Sequence, residues 1–312
     1  MNPSNPTVIL TGASGFLGQN VAKFLSARGL RGILLDLKAP TDPDMVALVR
    51  RGDWRFHQCD FSAPDSLNLA AVAPGSLYLV HLASKVHTSN AITSDVAAEI
   101  ETQVGGLFRL MKHIGLAIGG VVLASTIETY GLPVKLPINE AHPTDPFNVY
   151  GAAKLTLEYF LDIHCRQNAV PLAVLRLPQI YGPGDTYAKA IPTFIQNSLQ
   201  RKPSSLVNDG ADLREFVHVD DAGYAVFLAM ERKSEGVFNI TGGRSVSIGE
   251  TLRLIQEICG TDLSPSNTSS NKQQIQYAFD ISNARRELGY VPKVSFEEGL
   301  ESEVQWFKER VT

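Results

Sequence analysis

A tyrosine and a lysine four residues apart are the first candidates for chemistry in this chain of 312 residues. Tyr150 and Lys154 lie in the stretch NVYGAAKLTLEYFL, and residues four apart share one face of a helix. A lysine ammonium beside a phenol lowers the phenol pKa from its usual value of about 10. A tyrosine activated in this way can take the proton of an alcohol near neutral pH. Such a pair also occurs by chance on ordinary helices, so it needs support from other parts of the sequence.

Two hydroxyl residues upstream supply part of that support. Ser125 and Thr126 end an apolar run in the stretch LASTIETYG. The carboxyl ends of parallel strands face the ligand-binding crevice of an α/β sheet. We therefore expect a hydroxyl at this position to hold a substrate oxygen next to Tyr150.

Three glycines spaced by three residues predict a dinucleotide-binding turn. Gly12, Gly15 and Gly18 follow the apolar run TVILT and precede a helix-like stretch. Glycines in this context allow a tight turn and close approach of a pyrophosphate, which the free amides of the helix N-terminus attract. Asp36 ends the next predicted strand, where its carboxylate would accept both ribose hydroxyls and repel a 2′-phosphate. The pattern predicts NAD as cofactor, and Lys38 keeps NADP open as the alternative.

The elements that must position these residues follow from the alternation of the sequence. Short apolar runs alternate with amphipathic helix-like stretches up to Arg176, which is typical of a parallel sheet covered on both faces. We predict an α/β fold with a doubly wound parallel sheet over residues 1–176. A smaller, mixed α/β C-terminal domain, mainly substrate-binding, follows over residues 177–312, with some segments returning to the first domain. The Ser/Asn/Gln-rich stretch from Ser264 to Gln274 is predicted to be an exposed loop.

Composition and charge exclude several classes of protein. The chain is 44% hydrophobic with a net charge of −4, which indicates a folded protein with no basic face for nucleic acid. Cys59, Cys165 and Cys259 form no CxxC pattern and the histidines show no metal-ligand spacing, so we predict free thiols and no metal. We see no signal peptide and no apolar run of about 18 residues. We therefore expect a soluble cytoplasmic protein that acts on a small molecule.

With these motifs in place, the sequence resembles the extended short-chain dehydrogenase/reductase superfamily, and within it the NAD-dependent epimerase/dehydratase family of nucleotide-sugar enzymes. The matching segments run nearly end to end: TGASGFLG, Asp36, CDFS, HLAS, STIETYG, YGAAK, RLPQIYGPGD, LREFVHVDDAGYA, VFNITGG and DISNARRELGYVP. The resemblance implies a Rossmann fold and removal of a hydride from sugar C4, which gives a 4-keto intermediate. It also implies a homodimer, in which the largely apolar helix around Tyr150 packs against its copy in a second subunit.

The resemblance also implies roles for individual residues. Tyr150 would be the acid/base, Lys154 would hold the nicotinamide ribose, and Thr126 would bridge the substrate to Tyr150. Arg214 would contact the substrate diphosphate. The dinucleotide would be held and lined by Gly12, Gly15, Phe16, Leu17, Gly18, Asp36, Asp60, Phe61, Leu82, Ala83 and Lys85. For Asp60, termination of the third predicted strand is the alternative interpretation.

Departures from the family pattern concern the substrate. Gln179 stands where the family usually has Asn, as does Gln103, and Gln179 remains a candidate substrate ligand. The usual Arg-Pro-Gly stretch with a second diphosphate-binding arginine is replaced by the Ser/Asn/Gln-rich stretch, which leaves Arg244 as a candidate substitute. Glu128 stands where sugar 4,6-dehydratases and decarboxylases carry an acid, but Ile127 replaces the Asp that many dehydratases have before it.

We therefore predict an NAD-dependent nucleotide-sugar 4-epimerase. One alternative is a 4,6-dehydratase or decarboxylase that uses Glu128 as a catalytic base. Another is an NAD(P)-dependent ketoreductase or alcohol dehydrogenase of the same superfamily. A dinucleotide sensor without catalysis is disfavoured because Thr126, Tyr150 and Lys154 are all intact.

Overall fold

The computed structural model describes residues 7–60, 75–84, 96–270 and 274–310. Its strands are β1 (Thr7–Thr11), β2 (Arg31–Asp36), β3 (Trp54–Gln58), β4 (Leu77–His81), β5 (Ile118–Thr126), β6 (Leu172–Leu177), β7 (Gln179–Tyr181), β8 (Ser205–Val207), β9 (Leu213–His218), β10 (Gly236–Asn239), β11 (Ser245–Ser247) and β12 (Ser266–Thr268). Its α-helices are α1 (Phe16–Ser26), α2 (Pro43–Arg50), α3 (Val96–Ile100), α4 (Gly106–Ile114), α5 (Val149–Gln167), α6 (Ala190–Leu199), α7 (Val219–Glu231), α8 (Ile248–Cys259) and α9 (Phe296–Arg310). None of the helices in this part of the chain has the length and apolar character needed to span a lipid bilayer.

Seven parallel strands form the main layer, in the order β10-β6-β5-β4-β1-β2-β3. Successive side chains of a strand point to opposite faces, so Val8 and Leu10 enter one apolar core while Ile9 enters the other. Both faces are therefore buried, as all-parallel sheets require. The predicted doubly wound α/β fold is confirmed.

A second, smaller sheet lies in the later part of the chain. Its order is β11-β9-β7, with β7 parallel and β11 antiparallel to β9. Together with α6, α8 and α9 it encloses a separate apolar core that includes Phe194, Phe216, Leu252 and Phe307. This confirms the smaller mixed α/β part of the predicted fold.

Two segments beyond residue 177 join the main layer. Strand β10 pairs in parallel with β6, with Val237 opposite Val174. Helix α7 packs on α1, and Gly223 allows close approach because a Cβ there would lie 3.1 Å from the ring of Phe24. The main sheet is therefore complete only when β10 is added, and β10 comes after β7 and β9 of the smaller sheet in the chain.

The expectation of a loop throughout Ser264–Gln274 is wrong at its centre. Ser266–Thr268 forms β12, which pairs in parallel with β8 at Ser205–Val207. All three residues of β12 are exposed, so backbone hydrogen bonds hold this strand and no apolar alternation marks it in the sequence.

Candidate active site

A cavity of about 1420 Å³ opens between the main sheet and the smaller sheet. Most of the predicted site residues line it, namely Gly12, Gly15, Phe16, Leu17, Gly18, Asp36, Leu82, Thr126, Glu128, Tyr150, Lys154, Gln179 and Arg214. Asp60, Ala83 and Arg244 are described but are not part of that lining. Phe61 and Lys85 lie outside the described residues.

The turn after β1 forms a concave stretch of backbone around Gly12, Gly15 and Gly18, here called the cradle. Side chains at Gly12 or Gly18 would collide with neighbouring backbone. Gly12 has a φ of +68°, and a Cβ there would lie 2.8 Å from the backbone of Ala83. A Cβ on Gly18 would lie 2.0 Å from the carbonyl oxygen of Gly12. Gly15 is the N-cap of α1, and neither a side-chain cap nor an acidic residue occupies its first turn. The open amides and the close backbone approach suit an anionic group such as a dinucleotide pyrophosphate.

Asp36 is fixed by backbone donors at the edge of this cradle. Its Oδ2 accepts the N–H of Ser14 at 2.9 Å, and its Oδ1 accepts the N–H of Lys38 at 3.2 Å. The hydroxyl of Ser14 in turn donates to the carbonyl of Lys38 at 2.6 Å. The carboxylate therefore has a defined place on the cavity wall, next to the glycine turn, as recognition of a ribose requires.

A buried polar cluster ties the ends of β1 and β4 together. The Oγ1 of Thr11 accepts the N–H groups of Leu82 and Ala83, both at 3.2 Å, and lies 2.8 Å from Nδ1 of His81. A hydroxyl has one proton and two acceptor sites, so Thr11 donates to His81, whose own ring proton is on Nε2. Burial, together with the charge of Lys154, lowers the pKa of His81 to about 3. The neutral His81 therefore joins the ends of β1 and β4 through Thr11.

Helix α5 brings Tyr150 and Lys154 to the end of β5. Asn148 caps this helix by accepting the N–H of Gly151 at 2.7 Å, which places Tyr150 in the first turn. The Lys154 side chain is buried, and its Nζ donates to the carbonyl of Ala124 at 3.1 Å. Thr126 ends β5 two residues later, so the predicted trio lines one cavity.

The same helix cap also orients Glu128. The side-chain amide of Asn148 donates to Oε2 of Glu128 at 2.6 Å. The backbone N–H of Glu128 donates to Oγ1 of Thr126 at 3.2 Å. The carboxylate of Glu128 is therefore held beside Thr126, within the cavity lining.

The smaller sheet contributes Arg214 to the cavity lining. This residue lies within β9. Its Nη2 donates to Asp212 at 2.9 Å, and its guanidinium carbon lies 5.5 Å from the ring centre of Tyr277. The Nε2 of Gln179 is buried there and has no hydrogen-bond partner within the part of the chain that the structure describes. Both side chains are therefore available to a ligand with phosphate or hydroxyl oxygens.

Arg244 is held outside this cavity. Its guanidinium pairs with Glu250 at 2.6 Å and with Glu297 at 2.5 Å, and its side chain is 48% exposed. Glu297 lies 53 residues further along the chain, so no local pattern announces that pairing. The structure therefore gives no support to Arg244 as the second diphosphate ligand.

Lys189 is a second cation that sequence analysis missed. It lines the cavity just before α6, and its Nζ lies 3.8 Å from Oδ2 of the fully buried Asp185. Its only signal in the sequence is a lone lysine between YGPGD and an apolar helix. Arg214 and Lys189 each add a positive charge to the cavity lining.

Comparisons with known proteins agree with this geometry. A family model described as the NAD dependent epimerase/dehydratase family matches residues 8–241. A dTDP-glucose 4,6-dehydratase from Streptomyces griseus is 29% identical, over 96% of this chain and 93% of its own length. A UDP-glucose 4-epimerase from Thermotoga maritima, solved with UDP-glucose, has a TM-score of 0.85 at 28% identity and covers 98% of this chain and 100% of its own. A dTDP-glucose 4,6-dehydratase from Streptomyces venezuelae, solved with NAD, has a TM-score of 0.86 at 28% identity and covers 97% of both chains.

Proposed function

The chain belongs to the NAD-dependent epimerase/dehydratase family, and on that premise we propose that it inverts C4 of a nucleotide sugar. As a member it is an NAD-dependent enzyme of the extended short-chain dehydrogenase/reductase superfamily. The observation that carries the proposal is the cavity lining, which combines Thr126, Tyr150 and Lys154 with the glycine cradle, Arg214 and Lys189.

The cradle around the glycine turn fits NAD. The amides of the first turn of α1 would hold the pyrophosphate, and Asp36 would accept the ribose hydroxyls. When bound, NAD supplies a hydride acceptor that can return the hydride. The cavity residues Tyr150 and Lys154 would lie on the nicotinamide side.

Proton transfer is the part of the reaction that this chain's own residues carry. Thr126 would hold the C4 oxygen of the sugar, and Tyr150 would take the proton from that oxygen and later return it. Lys154 is fixed on the carbonyl of Ala124, so its positive charge stays near the phenol and favours the phenolate form. The buried position of the lysine strengthens that effect, because little water screens it.

Arg214 and Lys189 support a diphosphate-linked sugar as the substrate, because both cations line the cavity. Arg214 offers a fork of donors to phosphate oxygens, although it shares its charge with Asp212. Lys189 offers a second charge, and its Nζ is paired with the buried Asp185 at 3.8 Å, which fixes the ammonium on the cavity wall. Gln179 would donate its amide to a sugar or phosphate oxygen.

The preference for an epimerase rests on the two residues after Thr126. Ile127 is buried among apolar side chains, so no acid precedes Glu128. The Glu128 carboxylate itself accepts a hydrogen bond from Asn148, which suits a residue that orients the substrate. A 4,6-dehydratase or decarboxylase is the second candidate, because Glu128 nevertheless lines the cavity.

We also propose that two copies of the chain associate through α5. Three large apolar side chains on this helix are exposed, with Tyr159 at 60%, Phe160 at 51% and Ile163 at 46%. An apolar face of this kind on a helix that is buried on its other side is typical of a subunit interface. The contact would support the helix that carries Tyr150 from its outer side.

Product analysis in deuterated water tests the proposed reaction. An epimerase inverts C4 and leaves C5 without deuterium, whereas a 4,6-dehydratase loses water and incorporates deuterium at C5. UDP- and dTDP-linked hexoses with a free 6-hydroxyl serve as substrates. Net consumption of NADH with no epimer would instead identify a ketoreductase, and binding of no nucleoside diphosphate would remove nucleotide sugars from the proposal.

The role of Tyr150 is tested in the same assay. Tyr150→Phe removes one oxygen and should lower kcat by about 10²–10⁴-fold, because general acid/base catalysis contributes that much. NAD affinity should stay within about threefold of wild type, because only the proton-transfer group is lost. A variant that keeps more than about a tenth of wild-type kcat removes Tyr150 from the mechanism.

A further inference from the structure

Three buried polar side chains connect α5 to the main sheet directly beneath the cavity. Glu158 lies one turn after Lys154 on α5, and its Oε1 accepts a hydrogen bond from the hydroxyl of Ser125. The guanidinium of Arg176 donates to both carboxylate oxygens, from Nε at 3.2 Å and from Nη2 at 2.6 Å. All three residues are at most 5% exposed. The proposed reaction uses none of them.

The ion pair is fully formed despite its burial. Burial alone would lower the pKa of Arg176, but the hydrogen bonds and charge of Glu158 outweigh it and raise that pKa above its usual value. The guanidinium carbon also lies 4.6 Å from the ring centre of Tyr130, whose hydroxyl donates to Asn239 at 2.7 Å. The arginine is therefore held from several sides, and it presents a rigid fork to the carboxylate.

The position of the cluster relates it to the catalytic groups. Ser125 immediately precedes Thr126 on β5, and Arg176 lies opposite Ser125 on β6. One residue earlier on β5, Ala124 accepts the hydrogen bond from Lys154. Two successive residues of β5 therefore bind two charged side chains that lie one turn apart on α5.

A buried ion pair is a poor device for stability alone. An apolar pair of similar volume often stabilises a protein as well or better, because the charges need not be desolvated. An apolar pair has no directional preference, however, and would let the helix slide or rotate on the sheet. The directional bonds of this cluster fix the placement of α5 along β5, which is also the placement of Tyr150 relative to Thr126.

We propose that Glu158 is a positioning residue that acts with Ser125 and Arg176 to set Tyr150 against Thr126. The charges of Glu158 and Arg176 cancel, so the effect on the site comes through geometry and not through net charge. The inference rests on the role of Tyr150 in the proposed function.

The decisive variant replaces the ion pair by apolar side chains, as Glu158→Leu combined with Arg176→Met. We expect a melting temperature close to that of wild type, because no charge is left unpaired. We expect kcat to fall about 100-fold with KM changed by less than about threefold, because misplacement of reacting groups affects the chemical step. A second readout needs no turnover. The ionisation of Tyr150, measured as near-ultraviolet difference absorbance against Tyr150→Phe in NAD-loaded protein, should shift to higher pH. A displaced α5 would move Lys154 off the carbonyl of Ala124, which holds its ammonium in place.

Leu161→Ala is the matched control on the same helix. Leu161 is fully buried in the apolar core under α5, so its truncation should lower the melting temperature clearly. Its kcat should remain within about threefold of wild type, because no directional bond is lost. Equal losses of kcat in the control and in the double variant would reduce Glu158 to a structural role.

Ser125→Ala keeps the proposal falsifiable if the double variant does not fold. This variant loses one hydrogen bond, so we expect about a tenfold fall in kcat and a smaller shift of the Tyr150 ionisation. Wild-type kcat and wild-type ionisation in either folded variant would overturn the inference. If wild type itself converts no nucleotide sugar, the proposed function fails, while the Tyr150 titration still decides whether Glu158 positions this residue.

Discussion

Replacing Asp36 by alanine should abolish the discrimination between NAD and NADP. The carboxylate is held on the cavity wall by the N–H groups of Ser14 at 2.9 Å and Lys38 at 3.2 Å. Its remaining acceptor capacity would be available to the ribose hydroxyls in the proposed NAD complex. A hydrogen bond to an ionised group contributes about 1.5–3 kcal/mol, so Asp36→Ala should weaken NAD binding by about 10- to 150-fold.

The effect on NADP has the opposite sign. Two unit charges about 4 Å apart repel by about 4 kcal/mol at an effective dielectric constant of 20. Asp36 is only partly buried and Lys38 lies beside it, so we discount this repulsion to about 2–3 kcal/mol for the 2′-phosphate. Its removal should strengthen NADP binding by about 30- to 150-fold. A wild-type preference for NAD of about 10³ or more should then approach unity.

Calorimetric titration of both cofactors against wild type and Asp36→Ala measures these changes. Ser14→Ala is the control, because it removes only the hydroxyl bond to the carbonyl of Lys38 and keeps the backbone donor to Asp36. Its preference for NAD should be that of wild type. The reasoning is refuted if Asp36→Ala still prefers NAD by about 100-fold or more, because the carboxylate would then only brace the turn.

Three further predictions concern the glycine turn, the dependence of stability on pH, and the subunit contact. Gly18→Ala would set a Cβ 2.0 Å from the carbonyl oxygen of Gly12, so we expect at least about tenfold weaker NAD binding by calorimetry and a lower melting temperature; wild-type affinity would show that the turn can move. Burial, with the nearby charge of Asp185, raises the pKa of Glu303 well above its usual value. The folded state therefore binds the proton of this carboxyl group more tightly than the unfolded chain does. The contribution of Glu303 to the free energy of unfolding consequently falls as pH rises above about 4.3. The free energy of unfolding, measured by urea denaturation at several pH values, should lose this fall in Glu303→Gln, and the fall is up to about 1.4 kcal/mol per pH unit. The prediction is contradicted if the free energy of unfolding depends on pH in the variant as it does in wild type. Phe160→Glu, on the exposed face of α5, should convert a sedimenting dimer into a monomer, and a monomeric wild type would rule the interface out.

The parts of the site that the sequence reveals are those with a regular spacing. Gly12, Gly15 and Gly18 follow a strand and open a helix, and the interval between Tyr150 and Lys154 is one helical turn. Local geometry therefore suffices to place them. The doubly wound fold is predictable for the same reason, because two-sided burial makes each strand apolar throughout.

The residues that escaped prediction are positioned by contacts between distant segments. Lys189 enters the cavity because the carboxylate of Asp185 and the start of α6 set its place. The buried bond of His81 is made with Thr11, 70 residues earlier. Arg244 pairs with Glu297, which is also remote in sequence, so its role as a diphosphate ligand stays a prediction. Neither spacing nor residue type carries information of this kind.

The position of β10 late in the sequence also affects how the enzyme folds during its synthesis. A nascent chain that ends before residue 236 contains Thr126, Tyr150 and Lys154, yet β6 is still the outer strand of its sheet. The hydrogen bond from Ile240 to the carbonyl of Arg176 and the bond from Tyr130 to Asn239 do not yet exist. An open strand edge of this kind invites pairing with other chains. We therefore expect residues 1–176 alone to leave β6 as an open edge, and their cavity to lack the wall that β7 and β9 supply.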